Sequence, residues 1–253
     1  MDLGEIVLLV AAGLAAGTVN AVAGGGSLVT FPTLLAVGLP PVAANVTNSI
    51  AVSPGYLGAV FGSRLDLAGQ GRRVRGLLPT AAVGSAIGCA VLLVAPPRVF
   101  EVVVPFLVLG AAATLAFQDR LRRLVGHPAV MSPRRATVSL HVTVGLASIY
   151  GGYFGAALGV MLVALIALVL DESLARVSAL KNIASLVVGL VTVFVFALFG
   201  PVQWTAVAVL APATIIGGYG GARVARLLPG TVWKVTIVGL GTVVGVILLF
   251  GAF

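Results

Sequence analysis

Residues 20–35 read NAVAGGGSLVTFPTLL and lie inside a stretch, residues 6–63, that contains no Asp, Glu, Lys or Arg. Three adjacent glycines are poor helix formers, and a proline follows at position 32. The chain therefore carries its weakest backbone in the middle of its longest uncharged run. The hydrophobic block around it spans about residues 5–38. As one straight helix that block would be about 51 Å long at 1.5 Å per residue, against a hydrocarbon core of about 30 Å. It must tilt steeply or fold back.

Composition says which solvent surrounds it. The 253 residues are 60% hydrophobic and 9% charged, with a mean hydropathy of +1.18. Soluble domains carry roughly 25% charged residues, so this chain cannot cover a soluble surface and reads as an integral membrane protein. The formal net charge of +8 fits the positive-inside bias of membrane loops. No nucleic-acid motif accompanies it, and no nucleic-acid partner is expected. The single cysteine, Cys89, forms no internal disulfide. No Cys/His cluster suggests a metal, and no cofactor is expected. The acidic start, MDLGEIVLLV, lacks the basic region of a signal peptide and reads as the first membrane element.

The sequence repeats. Shifted by 133 positions, residues 77–117 fall on 210–250 without a gap. Pro79 then meets Pro212, Gly84 meets Gly217, Gly88 meets Gly221 and Pro96 meets Pro229. NSIA (48–51) falls on KNIA (181–184), and with a one-residue change of shift AGGGSLVTFP (23–32) falls on GAALGVMLVA (155–164). Two membrane units are expected, residues 1–117 and 137–253, joined by a basic linker, 118–136. Each unit has four hydrophobic blocks: about 5–38, 46–63, 76–95 and 99–117, then about 137–170, 182–199, 205–225 and 231–252. The last three of each have about the length of a spanning helix.

Charge chooses the path of the long blocks. If each crossed once, nine Lys and Arg would lie inside and six outside. If each is a hairpin entering and leaving on one face, the units become inverted relative to each other. The inside loops are then 64–75, 118–136, 171–181 and 223–234, and of the fifteen basic residues only Arg98 is outside. The positive-inside rule favours the hairpins. The expected fold is an all-α polytopic membrane protein of two inverted-topology repeats, each a re-entrant broken-helix hairpin plus three spanning helices. Both termini are expected on the extracytoplasmic face.

The glycine triplet is then the tip of a hairpin made of helices at about 5–20 and 27–38. Irregular backbone at membrane depth is tolerated only where protein or a watery cavity surrounds it. Ser27 is a good N-cap for the returning helix, whose N–H groups and positive dipole end point into the membrane. GGYFGAALG (151–159) repeats the device in the second unit. Two helix N-termini meeting near the midplane would make an anion site.

These elements resemble the TauE/SafE family of sulfite and organosulfur exporters over nearly the whole chain. The resemblance rests on the duplicated four-block unit, on NAVAGGGSLVTFPTLLAVGLPPVAANVTNSIA in the first copy, and on GGYFGAALGVMLVALIAL with RVSALKNIAS in the second. The second copy has GAALG in place of the triplet and Ala164 in place of Pro32. The resemblance implies bacterial inner-membrane transport of small sulfur-containing anions such as sulfite, sulfonates or sulfoacetate.

Polar side chains are rare in the blocks, so each needs a reason. Asn20 precedes the tip by one turn. Thr47, Asn48 and Ser49 are expected to open the next helix, after Pro40 and Pro41, and Leu180, Lys181 and Asn182 are their counterparts. The N–H groups at Gly24, Gly25, Gly26 and Ser27, with Asn20, Thr47 and Asn48, could replace an anion's hydration shell. Lys181 could neutralise its charge or snorkel to the interface beside Asp171 and Glu172. Tyr153, Gly155, Gly159 and Asn182 complete the candidate set around the second tip. His141 could shuttle a proton. No block carries a carboxylate deep in its centre, so the proton relay of many coupled transporters is not expected.

The function expected is a secondary transporter moving the anion outward by alternating access. The alternatives are an anion channel or facilitator and a non-transporting membrane scaffold. An enzyme is not expected, because no Gly-x-Ser-x-Gly element, paired intramembrane Asp or His-rich cluster is present. The partners expected are the small anion and membrane lipid, with a homo-oligomer left open.

Overall fold

The computed structural model describes residues 1–22, 25–117, 120, 132–224 and 230–251. Gly24, Pro229 and most of the 118–136 linker, all invoked above, lie outside the described residues. Among the described residues the protein is helical, without a strand. The helices are α1 (Leu3–Val22), α2 (Ser27–Ala36), α3 (Pro41–Val52), α4 (Pro54–Gly62), α5 (Gly71–Val94), α6 (Pro97–Ala116), α7 (Pro133–Tyr153), α8 (Leu158–Val169), α9 (Leu174–Phe199), α10 (Trp204–Val224) and α11 (Gly230–Leu249). A 3₁₀ turn, Arg64–Leu67, follows α4. Four of the described helical segments are long and apolar enough to cross a membrane: Leu3–Asn20, Gly71–Val94, Pro97–Ala116 and Leu174–Phe199.

The helices are apolar on the outside. On α9 the exposed residues include Leu190, Phe194 and Leu198, and on α5 they include Val83, Ile87 and Val91. Both sets recur every four residues and so form a stripe on one helix face. The inward faces carry small and polar residues: Gly84, Ser85, Gly88 and Cys89 on α5, and Ala184, Ser185 and Gly189 on α9. Large apolar side chains outward, with small residues at the close inward contacts, suit a chain whose solvent is lipid.

Both long blocks fold back. α1 is followed by the shorter α2, which begins beside Ala16 and Asn20 of α1. α7 is followed likewise by α8. The arms are unequal: α1 would be about 30 Å long and α2 about 15 Å, so the first helix is longer than the expected 5–20 arm. A second difference concerns the next block. It begins at Pro41 and breaks at Ser53, where Pro54 starts α4. Proline at the first helical position is preorganised for a start, and so the chain begins a helix at Pro41 rather than at Thr47. Thr47, Asn48 and Ser49 therefore sit inside α3 and do not open it.

The shift that aligns the sequence also aligns the helices. α6 covers 97–116 and α11 covers 230–249, α5 and α10 begin at 71 and 204, and α3 and α9 begin at 41 and 174. Related helices pack antiparallel. Leu109 meets Gly245 and Ala112 meets Gly241 between α6 and α11. Ser53 meets Gly189 and Ala59 meets Asn182 between the α3–α4 pair and α9. The remaining large contacts exchange partners. α1 runs parallel to α10, with Gly13 on Leu210 and Gly17 on Thr214, and α7 runs parallel to α5, with His141 by Gly76 and Gly152 on Ser85.

One end of the bundle is knitted by charge. Arg73 of α5 reaches Glu172 at 2.5 Å, Arg176 holds the same carboxylate at 2.7 Å, and Arg176 also donates to the Ala68 carbonyl at 3.0 Å. The Arg73 hydrogen bond first, aided by Arg176, holds the Glu172 carboxyl below the usual carboxylate range. The other end is joined by a neutral bond, the Gln203 N–H donating to Thr47 Oγ1 at 3.0 Å.

Candidate functional site

The first tip is built around Asn20. Its Oδ1 accepts from the N–H of Gly26 at 2.8 Å and of Gly25 at 3.1 Å. Gly25 has φ of +155°, a conformation that side-chain-bearing residues rarely adopt. At Gly26 a Cβ would fall 2.4 Å from the Ala16 carbonyl oxygen, so only glycine permits the return. Gly26 is the N-cap of α2 and Ser27 is its first helical residue. The expected cap is thus displaced by one, and no side-chain cap bond forms. Two of the N–H groups expected to meet an anion are accordingly held by Asn20.

The second tip uses a different brace. The Tyr150 hydroxyl donates to the Ala156 carbonyl at 2.6 Å, and Gly155 and Ala157 both have positive φ, +75° and +55°. A left-handed alanine is uncommon. Here it is held by packing, with Phe154 edge-on to Phe31 of α2 at 5.3 Å between ring centres. That contact joins the second tip to the return arm of the first.

Both tips border one small cavity. It is lined by Ser27 from α2, by Ser49, Ser53 and Tyr56 from α3 and α4, by Gly151, Phe154, Gly155 and Leu158 around the second tip, and by Val188, Gly189 and Thr192 from α9. It lies where α9 crosses the break between α3 and α4, at Gly189. A Cβ there would come within 3.0 Å of Ser53 Oγ, so glycine sets the closeness of the crossing. The space is about 20 Å³, enough for one water and too small for a multi-oxygen anion. Its polar groups are neutral. Ser53 Oγ donates to the Ser49 carbonyl at 2.6 Å and Ser49 Oγ to that of Asn45 at 2.9 Å. Such hydroxyls can rotate to donate elsewhere.

Of the residues singled out in the sequence, Ser27 and Gly155 line the cavity. Asn20, Gly25 and Gly26 shape the first tip behind it. The others lie elsewhere. Asn48 accepts from the Thr30 hydroxyl and ties α3 to α2. Thr47 accepts from Gln203, and Asn182 donates to the Ala59 carbonyl at 3.1 Å and to Ser63 Oγ at 3.0 Å. The Tyr153 ring packs on Phe100 and its carbonyl accepts from Asn45 Nδ2 at 2.9 Å. Gly159 lies in the first turn of α8, and Lys181 is half-buried on α9.

The family model described as Sulfite exporter TauE/SafE matches residues 9–248 of this architecture. The chain belongs to the TauE/SafE family. As a TauE/SafE member it is a multi-pass membrane protein of a transporter family. It is similar to a "Probable membrane transporter protein" of Haemophilus influenzae, 27% identical over 88% of this chain and 87% of the relative. It is also similar to "Probable membrane transporter protein ORF9" of Sinorhizobium sp, at 24% over 87% and 83%. "Probable membrane transporter protein YfcA" of Escherichia coli is 25% identical over 82% and 76%. No solved structure matches the chain. In this TauE/SafE chain the polar cavity-lining residues to which sequence reasoning assigned no binding role are Ser49, Ser53, Tyr56 and Thr192. With Asn45, the first three recur at i, i+4, i+8 and i+11, one face of a helix. That spacing, in an otherwise apolar block, was the available signal.

Proposed function

We propose that this TauE/SafE chain is a secondary transporter that exports a small sulfur-containing anion, such as sulfite, a sulfonate or sulfoacetate, across the bacterial inner membrane. It works by alternating access between two inverted halves, 1–117 and 137–253, with the linker 118–136 cytoplasmic and both termini extracytoplasmic. The observation that carries this reading is the cavity shared by the two tips, at the antiparallel crossing of related helices. Repeated units that cross antiparallel in a membrane are the inverted design of many carriers, with the substrate held between them. The ion pair between Arg73 and Glu172 supports the same topology. It requires the segments that lead into α5 and α9 to share a face, which single crossing of the long blocks would forbid.

The proposed binding step uses hydroxyls. Ser27, Ser49, Ser53, Tyr56 and Thr192 turn donors toward the anion's oxygens, while the first turns of α2 and α8 add the positive ends of their dipoles. The glycines at 25, 26 and 155 let these backbones approach. Room for the anion comes from separating the halves, since the cavity as it stands admits one water. A space this narrow favours a carrier over an open channel. The described lining holds no countercharge, so each cycle moves the anion's own charge. An inside-negative potential of 100 mV then drives a monovalent anion outward with about 2.3 kcal/mol.

The test is flux in proteoliposomes. Purified protein should release trapped sulfite or a small sulfonate, faster when the loaded side is made negative with a potassium gradient and valinomycin. No release of any member of this class, or release indifferent to potential, contradicts the reading.

A further inference from the structure

Lys181 is the one charged side chain of α9 that lies deeper in the helix than its first turn. Even a half-buried lysine within a membrane span is costly and rarely idle. Here no ion pair or hydrogen bond is recorded for it among the described residues; the acid at the start of α9, Glu172, is committed to Arg73 and Arg176. Along α9, Lys181, Ser185, Val188 and Thr192 follow at i, i+4, i+7 and i+11, which places them on one face. Val188 and Thr192 line the central cavity. The opposite face carries Leu190, exposed to lipid. Between the lysine and the cavity sits Ser185, 1% exposed, whose hydroxyl has no partner among the described residues. A buried hydroxyl without a partner is a donor waiting for one. Helical side chains lean toward the helix N-terminus, so Lys181 reaches toward the end that carries Arg73, Glu172 and Arg176. By helix rise, its Cα is about 10 Å from the level of Val188.

We propose that this face of α9 is the route by which an anion reaches the central cavity from the basic end, with Lys181 and the Ser185 hydroxyl forming an outer subsite for its oxygens. The inference rests on the transport reading and adds an entry site to it. Lys181 is then a recruiting residue at the mouth, and the central cavity keeps its neutral lining. The ammonium draws the anion past the ion-paired rim, Ser185 takes an oxygen as water is shed, and Thr192 receives it next.

The test replaces Cys89 by alanine and introduces Lys181→Cys, Ser185→Cys or, as the lipid-facing control, Leu190→Cys. Inside-out vesicles are treated with a membrane-impermeant thiosulfonate reagent that carries a negative charge. Lys181→Cys and Ser185→Cys are expected to react at least tenfold faster than the control, and much faster than from the opposite face. Reaction no faster than the control, or only from the opposite face, overturns the route. This readout needs no transported substrate, so it stands apart from any failure to move sulfite. Where sulfite flux is measurable, Lys181→Gln should raise KM about tenfold with kcat within twofold, and Lys181→Arg should restore it. An unchanged KM in Lys181→Gln removes the lysine from the subsite.

Discussion

Asn20 shows how one side chain decides a site's chemistry. Its carbonyl takes two N–H groups at a glycine turn that would otherwise be unpaired at membrane depth. Asn20→Ala leaves both donors without that acceptor, at about 1–3 kcal/mol for each buried group. The expected outcome is a clearly lower melting temperature in detergent; Asn20→Asp, which keeps the acceptor, should lose less. Ser53 lines the cavity itself. Ser53→Ala keeps the Cβ and removes only the hydroxyl, so flux should fall at least tenfold while the purified protein melts near the wild-type temperature. The glycine triplet was legible in sequence because three consecutive glycines demand a backbone reason. The serines were not, because a hydroxyl in an apolar helix looks the same whether it bonds back to its own helix or faces a substrate. Thr47, Asn48 and Asn182 carried the stronger polar signal, and in the structure each hydrogen-bonds to another segment of the bundle.

Between elements, small residues set the distances. A Cβ on Gly152 would lie 2.1 Å from the Ser85 carbonyl oxygen, and one on Gly88 equally close to that of Ile149. Gly152→Val should therefore force α7 off α5 and sharply reduce the folded protein recovered from membranes. Gly110→Ala is the control. Nothing lies within 4 Å of its added methyl, and alanine gains about 1 kcal/mol of helix propensity over glycine, so recovery should equal or exceed wild type. The paired glycines 84 and 217 were visible in the sequence as matches, and the structure gives their reason: each abuts the first helix of the other half, at Gly145 and Leu14. Helix starts were less legible, because the prolines at 40 and 41 read as a loop and Pro41 begins α3. The charged rim gives a pH prediction. Glu172 is held below its ordinary pKa by Arg73 and then Arg176. Its stabilising contribution is present above the unfolded value of about 4.3 and is lost as pH falls through the lower folded value. Melting in detergent should therefore weaken on acidification below about pH 4, and Glu172→Gln should flatten that dependence while lowering stability at neutral pH.

For the molecule as a whole, the membrane nature and the family were plain from composition and from the repeated glycines and prolines. Which hydroxyls face the shared cavity was not, since that depends on where two distant helices cross, and spacing along one helix does not report it. The central claim is that the halves are mounted head-down against each other. Two positions separate this from single crossing of the long blocks: Leu174, at the start of α9 and 52% exposed, and Gln203, exposed before α10. In a Cys89→Ala background, Leu174→Cys and Gln203→Cys can be labelled in intact cells and in inside-out vesicles with an impermeant thiol reagent. The account predicts that Leu174→Cys reacts only from the cytoplasmic face and Gln203→Cys only from the outside. The reverse pattern, with Leu174→Cys labelled in intact cells and Gln203→Cys protected, would contradict it.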